Sequence, residues 1–94
     1  MIPEFLKSQT VLFVEDEELA REILAKILLS KIFKKVITAA NGLEGLEKFK
    51  ESKSSDNEVD LVISDINMPI MNGLDMVENI RELDSLVPVN ICNS

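Results

Sequence analysis

Ninety-four residues, 46% of them hydrophobic, are enough for one small globular domain and argue against disorder. Seventeen acids against ten bases leave a net charge of −7, which disfavours nucleic acid or an anionic membrane as a direct partner and suits divalent cations. The absence of histidine excludes histidine-centred metal sites, Ser-His catalysis and phosphohistidine carriage on this chain, and the single cysteine, Cys92, excludes an internal disulfide and suits a reducing cytoplasm.

Nothing in the chain has the apolar length of a membrane span, and Met1-Ile2-Pro3-Glu4 does not begin a signal peptide. Residues 1–9 form a short lead-in. Val11-Leu12-Phe13-Val14 is an apolar run that predicts a first buried strand, and it stops at Glu15-Asp16-Glu17-Glu18. Acids there suit the positive end of a helix dipole. Leu19, Ala20, Ile23, Leu24, Ile27 and Leu28 then recur at spacings of three and four, predicting a helix of roughly four turns with a broad apolar face. Val36-Ile37-Thr38-Ala39-Ala40 predicts a second strand and Asn41-Gly42 a turn or cap. Leu43, Leu46 and Phe49 mark one edge of a short helix, and residues 52–58 read as a solvated loop.

The central stretch is residues 59–73. Leu61-Val62-Ile63 is short, apolar and β-branched, as expected of a strand buried on both faces of a parallel sheet. It ends at Asp65, where the strand should emerge. Met68-Pro69 and Asn72-Gly73 predict a tight loop, with Gly73 taken as a residue whose backbone angles exclude a β-carbon. Met76, Val77, Ile80 and Leu83 line a third helix. Pro88-Val89-Asn90-Ile91-Cys92 reads as a fourth strand, with Asn90 out of place and Cys92 expected as a small buried hydrophobe.

The order β-α-β-α-β-α-β calls for an α/β fold, a doubly wound parallel sheet with helical crossovers. In the strand order 2-1-3-4-5 the first and third strands are neighbours, about 4.8 Å apart. Glu15 and Asp16 would then crowd Asp65 at one sheet edge. Carboxylates in that position repel one another unless a cation sits among them, and Mg2+ is the natural hard ion for oxygen ligands.

Three stretches, V-L-F-V-E-D-E at 11–17, A-N-G-L-E-G at 40–45 and D-L-V-I-S-D-I-N-M-P-I-M-N-G at 60–73, with Pro88-Val89 after them, carry a family likeness. On these residues the chain resembles the receiver domain of two-component response regulators. The resemblance runs over nearly the whole chain and implies a single receiver domain across residues 1–94 with a flavodoxin-like fold, incomplete because the family's last helix, strand and helix are lacking. It implies Asp65 as phospho-acceptor and Asp16 as the direct side-chain ligand of Mg2+. Glu15 would hold the ion through water, and Asn67 would offer its backbone carbonyl. A histidine kinase or phosphotransfer protein would be the phosphodonor, and the domain would not be an enzyme in its own right. Two departures stand out. Asn93, followed by Ser94, occupies the position of the family's Thr or Ser, and the family's lysine after the fifth strand has no counterpart.

Each assignment has a plainer rival. Glu15 and Asp16 alone would be helix-starting residues, and Asp65 alone a satisfied loop acid; their meeting at one edge favours the metal reading. Met68 and Met71 suit packing. Gly42, Gly45 and Gly73 are turn or packing glycines, since no phosphate-cradling glycine pattern occurs. Three functional classes follow: a phospho-accepting signalling domain, a degenerate receiver that acts only in protein association, and a Mg2+-dependent hydrolase with an aspartate nucleophile, like the haloacid-dehalogenase-like phosphatases. The last is disfavoured because Asn67 stands where those enzymes carry a second aspartate. A stripe of Leu19, Ile23 and Ile27 with no facing helix, beside an open fourth strand, predicts a homodimer.

Overall fold

The structure, a computed structural model, describes residues 3–92. The expectations for Asn93 and Ser94 lie outside these residues. A 3-10 turn, Glu4–Ser8, leads into β1 (Thr10–Val14), every residue of which is buried. The other strands are β2 (Lys35–Ala39), β3 (Leu61–Asp65) and β4 (Val89–Cys92). All pairings are parallel and the sheet order is β2-β1-β3-β4, the first four places of the doubly wound order. β1 is central because its run is apolar on both faces.

Alternation along the strands divides the core in two. Leu12, Val14 and Val62 point to one side, where they meet Leu46 and Phe49 of α2 (Gly42–Ser52) and Met76 and Ile80 of α3 (Gly73–Leu83). Val11 and Phe13 point to the other, against Ala25, Leu29 and Phe33. Both later helices start on an asparagine cap. Asn41 Oδ1 accepts from Glu44 N–H and Asn72 Oδ1 from Asp75 N–H, each at 2.9 Å, and such caps stabilise by about 1 kcal/mol. The apolar edges are narrower than the spacing suggests, since Leu43 and Leu83 are exposed while their helix mates are buried.

The first helix, α1, departs furthest from the expectation. It covers residues 18–32 as an α-helical start, Glu18–Ile23, a π-helical middle, Leu24–Leu29, and a last α turn, Ser30–Ile32. The wider π turn changes which residues face the sheet. Ala25 and Leu29 are buried, whereas Leu19 and Ile27 of the expected stripe are 63% and 61% exposed. Among the described residues no helix covers the stripe, and it is not the face that seats α1. Two smaller differences have local causes. Ser52 is buried because its hydroxyl donates to Phe49 O at 2.8 Å and accepts from Val59 N–H at 3.2 Å, closing the loop onto α2. Cys92 is exposed, because it ends β4 on the outer edge of the sheet.

An ion cluster secures the turn into β4. Lys53 Nζ lies 2.7 Å from Asp84 Oδ2 and 3.0 Å from Glu58 Oε2, and it rests over the Phe49 ring. The other oxygen of Asp84 accepts from the N–H groups of Leu86 and Val87. The Lys53 ammonium beside it, followed by these amides, holds the Asp84 carboxyl down at about 2.

Two predictions follow from these contacts. Leu29→Ala should cost about 3 kcal/mol and Ile27→Ala less than about 0.5, read by denaturant unfolding; equal costs would refute the π register. Because the folded-state value of Asp84 lies below its ordinary 3.8, its stabilisation is present above that value and is lost as pH falls toward about 2. Asp84→Asn should therefore flatten the acid limb of stability between those limits. Melting curves taken across that range check the slope.

Candidate functional site

Strand pairing builds the site. Val11 pairs with Leu61, Phe13 with Ile63 and Val14 with Ser64; one further step in that register sets Glu15 beside Asp65. Glu15 is still tied to the sheet, since its N–H donates to Ala39 O at 3.0 Å. Its own carbonyl accepts from Arg21 Nη1 at 2.9 Å, so α1 also grips the strand end.

The four consecutive acids divide their work. Glu17 is the cap of α1, its carboxylate accepting from the N–H groups of Leu19 and Ala20. Glu18 opens the helix. Glu15 and Asp16 instead approach Asp65, and one carboxylate oxygen from each of the three lies within 4.8 Å of the others. The helix-start reading holds for Glu17 and Glu18, and Glu15 serves both ends, its Oε2 accepting from Glu17 N–H at 3.0 Å while it approaches Asp65. Glu15 is half-buried, Asp16 exposed and Asp65 only 8% exposed, so the cluster has a buried floor and an open mouth.

Asp65 is the last residue of β3 and is oriented by its own neighbour. Ile66 N–H donates to Asp65 Oδ1 at 2.8 Å and also reaches Cys92 O at 3.2 Å, while the Ser64 hydroxyl donates to Asp65 O. Asn67 lies exposed in the loop just past Asp65. Met68 and Met71 pack against the core beneath α2 and α3, as expected. Gly73 is needed as a packing glycine and not for backbone angles that exclude a β-carbon. No glycine among the described residues has positive φ; instead a β-carbon on Gly73 would lie 2.3 Å from the carbonyl oxygen of Asp65. The residue with positive φ is Ile70, at 70°. No local sequence signal marks it.

Three carboxylates offering hard oxygen donors at this separation fit a small divalent cation such as Mg2+. The layout, a doubly wound parallel sheet with acids at the carboxyl ends of adjacent central strands, is that of an α/β domain whose ligand site lies at the switch point.

Comparison with known proteins narrows the class. The sequence profile of the response regulator receiver domain matches residues 11–94, and the chain belongs to that family. It is 34% identical over 84 residues to the chemotaxis protein CheY of Thermotoga maritima, covering 89% of this chain and 66% of that protein. It is 37% identical over 83 residues to the autoinducer 1 sensor kinase/phosphatase LuxN of Vibrio campbellii, covering 88% of this chain but 9% of that protein. Among solved structures, the CheX–CheY–BeF3–Mg2+ complex from Borrelia burgdorferi superposes with a TM-score of 0.79 at 31% identity, over 98% of this chain and 67% of that one. The chain thus spans about two-thirds of its chemotaxis relative and a small fraction of the sensor kinase. Membership in the family supports phosphorelay signalling in general.

Proposed function

We propose that residues 1–94 form a receiver domain in which Asp65 accepts a phosphoryl group in a Mg2+-dependent reaction. The observation that carries this reading is the convergence of Glu15, Asp16 and Asp65 at one strand end. The donor is the phosphohistidine of a histidine kinase or phosphotransfer protein, in keeping with the kinase and CheX complex among the chain's relatives. A carboxylate oxygen of Asp65 attacks phosphorus; the new O–P bond forms as the P–N bond of the donor breaks, and the bond pair leaves on the imidazole nitrogen, which takes up a proton. The product is an acyl phosphate on Asp65.

The ion would be held by the side chains of Asp16 and Asp65, through water by Glu15, and by the backbone carbonyl of Asn67. When bound it neutralises charge on the phosphoryl oxygens. The chain's own contribution is placement. Ile66 N–H fixes the Asp65 carboxylate, and Gly73 lets α3 pack directly on its carbonyl. The covalent change falls on the protein itself, which makes it a signalling module and not a turnover enzyme. No helix among the described residues is long and apolar enough to cross a membrane, and the reading places the domain in the cytoplasm.

With acetyl phosphate and Mg2+ the chain should gain one phosphoryl group, and Asp65→Asn should gain none, both read by intact mass. Labelling that survives Asp65→Asn would contradict the residue assignment. No labelling of the unaltered chain would leave the association-only receiver.

A second reading concerns assembly and rests on exposure. Leu19, Ile23 and Ile27 face outward from α1, and on the same side of the sheet the half-buried Leu61 and Ile63 lie beside the exposed Asn90 of β4. The opposite edge is guarded, since Lys48 Nζ donates to Thr38 O of β2 at 2.7 Å. A two-fold homodimer would cover the apolar side. Light scattering at micromolar concentration should give twice the monomer mass; a compact, cooperatively unfolding monomer would rule the dimer out.

A further inference from the structure

Among the bonds that hold the loop after Asp65, residues 66–72, two bracket it. Near Asp65, Gly73 N–H donates to Ile66 O at 2.8 Å. At its far end the grip comes from a different element. Gly42, the first residue of α2, donates its N–H to Met71 O at 2.9 Å. A β-carbon on Gly42 would stand 2.4 Å from that oxygen and 2.9 Å from Met71 Cγ, so only glycine permits the contact. The Met71 carbonyl meets Gly42 across a tight turn. Ile70 has φ of 70° and Met71 N–H donates to Pro69 O at 2.7 Å, a γ-turn of the rare, strained hand. The Ile70 side chain is 77% exposed, so burial does not hold that conformation. The hydrogen bond from Gly42 is a tertiary contact that does, beside the packing of Met68 and Met71 against the core.

We infer that Gly42 is a positioning residue for the acceptor site. Through its bond to Met71 and its missing side chain, the turn between β2 and α2 sets the loop that carries Asn67 and abuts Asp65. This rests on the reading of Asp65 as acceptor and adds to it a residue on another strand-helix turn, which touches neither the ion nor the phosphoryl group. The competing account is that Gly42 serves helix packing alone. Gly45 supplies the comparison. It lies in the same helix, and a β-carbon there would meet Met76 Sδ at 2.8 Å and Val14 Cγ2 at 3.0 Å, core side chains and not the Met71 carbonyl.

Gly42→Ala and Gly45→Ala should therefore separate. Both are expected to lower Tm. Per folded molecule, Gly42→Ala should slow labelling by acetyl phosphate by about tenfold to a hundredfold, the cost of a displacement on the order of 1 Å, and should weaken Mg2+ binding in calorimetry. Gly45→Ala should leave both within about twofold, its effect being confined to the folded fraction. Wild-type rate and affinity in Gly42→Ala, or equal losses in the two variants, would overturn the inference. If the unaltered chain takes up no label, the acceptor reading fails, and the Mg2+ affinities still decide the role of Gly42. A measurement on the unaltered chain guards against a variant that does not fold. Exchange of the Gly42 amide should slow when Mg2+ is added, because the ion and the Gly42 bond stabilise the same loop conformation. Exchange that is unchanged at saturating Mg2+ would equally overturn it.

Discussion

The parallel pairing of β1 with β3 is the constraint from which the rest of the structure follows. Residues far apart in sequence become neighbours because β2 pairs on the other side of β1, leaving its second edge to β3. A strand paired on both edges and covered on both faces favours apolar side chains, which is why Val11-Leu12-Phe13-Val14 carries no polar one. The same pairing brings the first residue beyond β1 beside the last residue of β3. Where both are acids, the sheet edge is negatively charged by construction.

That arrangement sets like charges side by side, and local hydrogen bonds orient them. Two carboxylates at the outer separation in the cluster, 4.8 Å, repel by roughly 3 kcal/mol at an effective dielectric of about 20, and less where solvent reaches them, as at Asp16. Against this, Ile66 N–H donates to Asp65 and Glu17 N–H to Glu15, and bonds to charged groups contribute about 1.5–3 kcal/mol each. The amides orient the acids without neutralising them. A cation among the oxygens would supply the missing charge, and a phosphoryl group brought to Asp65 would add more negative charge that the cation must also offset. The site's electrostatics and its chemistry therefore call for the same ion.

Much of this was legible in the sequence, and the parts that were not have identifiable causes. Buried strands announce themselves by composition, so the four strands, their order and the meeting of Glu15, Asp16 and Asp65 could all be read in advance. The face of α1 could not, because a period of three and four assumes α-helical turns and residues 24–29 wind more widely. Cys92 was expected inside on residue type, but an edge strand leaves it exposed. Gly73 is legible as a turn or packing glycine, but which of the two is not. Its need is the approach to the Asp65 carbonyl, a tertiary fact, and the strained backbone lies at Ile70, a residue type that gives no warning of it. The ion cluster of Lys53, Glu58 and Asp84 was invisible for a related reason, since its members come together only after α2 and α3 have packed.

The central claim is that strand pairing makes one cation site from acids on two strands. Calorimetric titration of the chain with Mg2+, repeated on Asp16→Asn, tests it most directly. The account predicts weak binding of one ion by the unaltered chain, with the largest loss of affinity in Asp16→Asn, where a charged direct ligand is removed. Unchanged affinity in Asp16→Asn would contradict it.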